Sequence, residues 1–79
     1  MHHIYHTKSF VIGSYNRGEA NKILVLYTRE MGLVRAVAQG IRLNKSKLRF
    51  GLQDFSYASV DLVRGRDIWR VTSGSTITS

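Results

Sequence analysis

The apolar residues of this chain gather into five short runs rich in Val, Ile, Thr, Tyr and Phe, the side chains that suit a pleated, half-buried surface. The first run is Thr7-Lys8-Ser9-Phe10-Val11-Ile12. The second, Lys22-Ile23-Leu24-Val25-Leu26-Tyr27-Thr28, is apolar on both faces and is therefore expected to be central. Arg29-Glu30-Met31-Gly32 reads as a hairpin turn into the third run, Leu33 to Gln39. There the alternation predicts that Val34, Ala36 and Ala38 face a tight core, where small side chains fit a curled sheet. Arg35, Val37 and Gln39 then face outward. The fourth run, Phe55 to Val63, puts Ala58, Val60 and Leu62 on one side and Tyr57, Ser59 and Asp61 on the other. Arg64-Gly65-Arg66-Asp67 reads as the turn into a fifth run, Ile68 to Thr72.

Seven glycines punctuate the sequence, at 13, 18, 32, 40, 51, 65 and 74. Most lie between apolar runs, as expected of turns that need positive φ. Between the third and fourth runs, Leu48 and Leu52 stand at helical spacing behind a candidate N-cap, Asn44. This predicts one short helix over Asn44–Leu52, weakened by Gly51. Five strands with a helix between the third and fourth is the order of an OB-fold, a small Greek-key barrel. An SH3-like barrel shares the pattern. The expected fold is thus all-β: a five-stranded OB-fold barrel with one short helix between strands 3 and 4. Composition is even and shows no linker or repeat, so residues 1–79 read as a single domain with mobile ends at 1–4 and 74–79.

Composition narrows the function classes. A chain of 79 residues has room for one compact core and little for an enclosed substrate cavity. Without cysteine there is no disulfide framework, thiolate zinc site or cysteine nucleophile. No stretch approaches the ~18 apolar residues of a membrane span, and the first residues show no signal-peptide apolar region. The five acids, Glu19, Glu30, Asp54, Asp61 and Asp67, are scattered rather than paired for acid–base work, so an enzyme is not expected. Gly40-Ile41-Arg42-Leu43-Asn44-Lys45-Ser46 lacks the second glycine of a phosphate-binding loop and the long helix that should follow it. His2, His3 and His6 read as a mobile N-terminal segment rather than as metal ligands. No cofactor or metal is expected.

The unusual quantity is charge. Twelve Lys+Arg stand against five Asp+Glu, a net +7, which favours a polyanionic partner: nucleic acid first, an anionic membrane second. Arg42, Lys45, Lys47 and Arg49 fall within eight residues that contain no acid, and Phe50 follows at once. Such one-sided charge, without salt-bridge partners of its own, points to phosphate binding rather than to a solvated face. Arg64, Arg66 and Arg70 form a second basic group around the last turn, and Arg35 would lie between the two. In an OB-fold the loops after strand 1 and between strands 4 and 5 border a binding face made largely by strands 2 and 3. The residues expected to bind nucleic acid are Arg35, Arg42, Lys45, Lys47, Arg49, Phe50, Arg64 and Arg66, with Lys22 and Arg70 beside them. Tyr15, Tyr57 and Trp69 are further stacking candidates, and Trp69 equally suits a plug at the barrel end, the reading favoured here.

Taken in order, Gly18-Glu19-Ala20-Asn21, Leu26-Tyr27-Thr28, Gly32, Ala38-Gln39-Gly40-Ile41-Arg42, Lys45-Ser46, Leu48, Leu52 and Phe55 resemble the N-terminal domain of the bacterial RecO recombination-mediator proteins. Tyr5-His6-Thr7-Lys8 and Val63-Arg64-Gly65-Arg66 agree with it, and the resemblance covers residues 4–73. Two positions depart: Asn21, where the family usually has an acid, and Gln39, where it often has a lysine. RecO proteins also continue into a helical domain, often with a cysteine-ligated zinc, whereas this sequence ends at Ser79. Its polar tail reads either as the point where a longer protein was cut or as the end of a minimal relative. The resemblance implies an OB-fold that binds single- and double-stranded DNA. It further implies strand annealing, help in loading the RecA recombinase onto DNA coated by single-strand-binding protein together with RecR, and a cytoplasmic, nucleoid-associated setting. The alternative function is a protein-interaction module whose basic face docks an acidic partner, or an RNA-binding domain of the same fold.

Overall fold

A computed structural model describes residues 3–43 and 52–78, which form five strands: β1 (Ile4–Arg17), β2 (Asn21–Thr28), β3 (Gly32–Ala38), β4 (Tyr57–Arg64) and β5 (Trp69–Thr78). No helix occurs among the described residues. The helix expected over Asn44–Leu52 lies outside them except for Leu52, which is buried in the core. The strands close on themselves in the order β1-β2-β3-β5-β4. All pairings are antiparallel except β3 with β5, a short parallel contact that sets Ala36 beside Trp69 and Val37 beside Arg70.

The alternation read from the sequence holds. Ala36 and Ala38 are fully buried with Arg35 and Gln39 exposed, and Ala58, Val60 and Leu62 point inward from β4. These join Val11, Leu24, Leu26, Ile41, Leu52 and Val71 in one core. Three alanines among its members let the interior close tightly, because a barrel this small cannot accommodate a large side chain at every inward position.

Two runs are longer than the pattern suggests. β1 extends to Arg17 because it serves two neighbours: Ile4–Phe10 pair with β4, and Ser9–Arg17 pair with β2. A register shift between Val11 and Gly13 lets it turn from one to the other. Gly13 thus marks a strand irregularity rather than a turn between runs. β5 runs on to Thr78, opposite Tyr57, so residues 74–78 are paired strand rather than a mobile end. Gly74 lies within it, where a Cβ would press on the Leu52 side chain. His6, too, belongs to a strand: its Nδ1 lies 2.5 Å from Asp61 Oδ1, and the Ser73 hydroxyl donates to Asp61 Oδ2 at 2.6 Å. Asp61 therefore ties β1, β4 and β5 together.

Two predictions follow from this packing. Ala36→Leu should overpack the interior and lower stability by ~1–3 kcal/mol, while Arg35→Leu on the outer face should leave the melting temperature nearly unchanged. Comparable melting shifts would reverse the assignment of faces. The hydroxyl of Ser73, with the hydrogen bond and charge of His6, holds the Asp61 carboxyl below its ordinary value despite partial burial. A depressed carboxylate stabilises the fold above its unfolded value, about 3.9, and that contribution disappears as pH falls through the folded value. Asp61→Asn should therefore lower the melting temperature at neutral pH, and the two proteins should converge in acid. A constant gap down to pH 2 would disprove the linkage.

Candidate nucleic-acid interface

One open cleft of about 670 Å³ lies across the barrel end where β1 enters β2 and β4 turns into β5. Its floor is apolar: Ile23 of β2, Val37 of β3 and Val63 of β4 are buried or half-buried. Its walls are cationic. Arg17 comes from the end of β1, Arg35 from β3, Arg64 from the end of β4, Arg66 from the β4–β5 turn, and Arg70 from β5. All five arginines are exposed, and among the described residues none is in a salt bridge. Asp67 is the one acid among the lining residues. Three of the other acids are occupied elsewhere: Asp61 by His6 and Ser73, Asp54 by Ser14 at 2.7 Å, and Glu30 by the Thr7 hydroxyl. The cleft thus keeps an unneutralised positive field over an apolar floor, with the exposed ring of Tyr15 at its edge.

Trp69 stands behind this wall. It is half-buried against the core, meets Tyr5 edge-on at 5.1 Å, and carries the Arg64 guanidinium 5.6 Å from its ring centre. It plugs the barrel end, and its free face orients an arginine of the cleft.

Of the residues expected at the interface, Arg35, Arg64 and Arg66 come together here, and Arg70 joins them. Lys45, Lys47, Arg49 and Phe50 lie outside the described residues. Arg42 lies apart from the cleft. Its backbone N–H donates to Ala20 O at 3.0 Å and its Nη1 donates to Gly18 O at 2.6 Å. The neighbouring Asn21 Oδ1 accepts the Gly40 N–H at 2.8 Å. The Gly18–Asn21 and Gly40–Arg42 segments therefore clasp each other, fixing the chain where β1 turns into β2. An aspartate would accept the same Gly40 hydrogen bond, which accounts physically for either residue at position 21. Tyr15, a stacking candidate from the sequence, lies among the lining residues, whereas Arg17 was not expected there because the first apolar run ends at Ile12, short of it.

The full length of the chain, residues 1–79, matches the family model described as Recombination protein O N terminal. The chain belongs to this family. It is similar to proteins named DNA repair protein RecO, among them that of Desulfitobacterium hafniense, 42% identical over 65 residues, which are 82% of this chain and 24% of that protein. That of Nocardioides sp. is 35% identical over 75 residues, 95% of this chain and 31% of the relative. That of a Dehalococcoides mccartyi strain is 39% identical over 77 residues, 98% and 30% respectively. The chain thus spans between a quarter and a third of the length of these RecO relatives.

The turn that follows Arg64 and carries Arg66 in this RecO N-terminal domain depends on Gly65. A Cβ there would strike the backbone carbonyl of Ile68, which cannot move without reshaping the turn. Gly65→Ala should cost ~1–3 kcal/mol and shift amide resonances of residues 64–70 while leaving those of the β1–β2 turn in place. An unchanged spectrum and melting temperature would show that the turn tolerates a side chain.

Proposed function

We propose that this chain is a non-enzymatic, DNA-binding OB-fold module whose arginine cleft grips the phosphates of single- and double-stranded DNA. The observation that carries the reading is the convergence on one apolar-floored cleft of five exposed arginines, from β1, β3, β4, β5 and the β4–β5 turn, none of them in a salt bridge among the described residues. The strand order β1-β2-β3-β5-β4, with closure through parallel β3 and β5, supports the OB-fold assignment over an SH3-like barrel. Arginine offers planar, always-charged donors that match phosphate oxygens in pairs. Because the cations sit on a sheet face and a turn, with no helix among the described residues to enter a major groove, binding is directed at the backbone and indifferent to base sequence.

Membership of the RecO family gives this module its setting. Strand annealing, assistance in loading a recombinase onto coated DNA, and partnership with RecR and single-strand-binding protein are proposed for the full-length context, together with a cytoplasmic, nucleoid-associated location. Among the described residues no helix is long and apolar enough to cross a membrane.

The test is the salt dependence of binding. Each phosphate neutralised on single-stranded DNA adds ~0.7 to the slope of log affinity against log salt. The triple variant Arg64→Ala, Arg66→Ala, Arg70→Ala should reduce that slope by about 2, and equally for unrelated sequences. Lys22→Ala, which removes a cation outside the cleft, is the comparison for net charge and is read per charge removed. An equal loss per charge would mean a diffuse cationic field rather than a site.

A further inference from the structure

The end of the outer face away from the arginine cleft carries aromatic side chains in a row. Phe10 of β1 is paired directly with Tyr27 of β2 on one side and with Tyr57 of β4 on the other. Rings at directly opposed positions ordinarily pack on one another. Phe10 and Tyr57 do so, with centroids 4.7 Å apart and planes tilted by 36°. Tyr27 does not close the gap: it stays 57% exposed and Phe10 53% exposed, and an open slot of about 260 Å³ is lined by the three rings. Lys8 and Arg29 stand at its rim. Among the described residues no acid lines the slot, and Glu30, next to Arg29 in the chain, is engaged by the Thr7 hydroxyl and lies 4.0 Å from Arg29 Nε.

We propose that this slot is a nucleobase-stacking site, taking one base of a single-stranded nucleic acid against the rings of Phe10, Tyr27 and Tyr57 while Lys8 and Arg29 meet the phosphates beside it. The inference rests on the reading of the arginine cleft as a nucleic-acid site and extends it to a second, chemically different contact. Three features select this occupant. The slot is smaller than the ~300–1,000 Å³ that encloses a whole small-molecule ligand, and suits one flat ring whose remainder stays outside. Its walls are aromatic, and a base stacks on an exposed ring whatever its identity. Its rim is cationic, which matches a sugar-phosphate chain and opposes the basic surface of a second copy.

The two contacts lie on one path. Ile23 lines the cleft and Tyr27 lines the slot, four residues apart on β2 and therefore separated by ~13 Å along the strand. Between them Val25 sits opposite Arg35, so the intervening surface offers an apolar step with a cation beside it. A single strand can thus lie with its phosphates in the cleft and a base in the slot. A duplex, whose bases are stacked on one another, can use only the first.

The experiment compares a ten-nucleotide oligothymidylate with an abasic decamer of the same phosphate count, by fluorescence anisotropy at fixed salt. The double variant Phe10→Leu, Tyr27→Leu keeps apolar side chains but removes two rings. It should bind oligothymidylate roughly 5- to 150-fold more weakly, the equivalent of one stacked base, and bind the abasic decamer as the parent does. Should the double variant melt early, Tyr27→Leu alone carries the same comparison. Unchanged binding of both ligands overturns the slot while leaving the cleft reading standing, and an equal loss on both overturns it because stacking cannot act on an abasic strand. Loss of self-association by sedimentation, with oligothymidylate binding intact, would instead make the aromatic row an interface between copies. Failure of the underlying reading looks different: the variant lacking Arg64, Arg66 and Arg70 would then bind both decamers as tightly as the parent.

Discussion

Strand β1 has to pair with β2 and β4, which diverge as the sheet curls, and no straight strand of this length can keep both ladders satisfied. The shift between Val11 and Gly13 resolves this by letting the first half of β1 follow β4 and the second half follow β2. Where the two ladders part, the chain before β4 fills the gap: Val11 N–H donates to Ser56 O at 2.9 Å, and Phe55 N–H donates to Val11 O at 2.6 Å. The backbone polar groups of the bend are thereby paired rather than buried bare, which would cost on the order of 1–3 kcal/mol each. Closure then places Ala36, Ala38 and Ala58 around the interior, and their small size is what lets five strands meet.

The arginine cleft is a consequence of that closure. Arg17 reaches it because β1 continues past the bend, and Arg70 reaches it because β5 lies parallel to β3 for two residues beside Ala36 and Val37. Trp69 and Tyr5 close the barrel end beneath, and the tryptophan ring holds Arg64 above it. Collecting exposed like charges costs little in water: two cations ~8 Å apart repel by about 0.5 kcal/mol at full solvent dielectric. A barrel fixed by its core can sustain several such pairs, and the repulsion is relieved when an anion enters.

The strands were legible in the sequence wherever one face is buried and the other wet. The alternation through Val34, Ala36 and Ala38 and through Ala58, Val60 and Leu62 gave both register and orientation, since a slip of one residue would turn every side chain over. The pattern failed at Gly13 and Gly74, where glycine serves a bend and a close approach to Leu52 rather than a turn. Periodicity cannot tell these uses apart, because both read as an interruption. Four of the cleft's five arginines were legible for a related reason: Arg35, Arg64, Arg66 and Arg70 lie on or beside a predicted turn or an outward strand position. Arg42 looked equally suitable by charge, yet its guanidinium serves Gly18, a contact 24 residues away in sequence that no local pattern encodes.

The two cation types are not distributed evenly over the surface. The chain has eight arginines and four lysines, and the five cations that line the cleft are all arginine. Lysine is a compact, strongly hydrated charge that adds to a general field, whereas a guanidinium presents a planar fork and can lie flat on an apolar or aromatic surface. The cleft has such a surface in Ile23, Val37 and Val63, so its arginines can rest their stems on the floor and direct paired donors at a phosphate. At the slot the order is reversed: aromatic rings form the wall, and Lys8 and Arg29 stand only at the rim. On the proposed reading, one outer face holds a region suited to paired donors at a phosphate and another suited to the flat face of a base, and single-stranded nucleic acid is the polyanion that presents both.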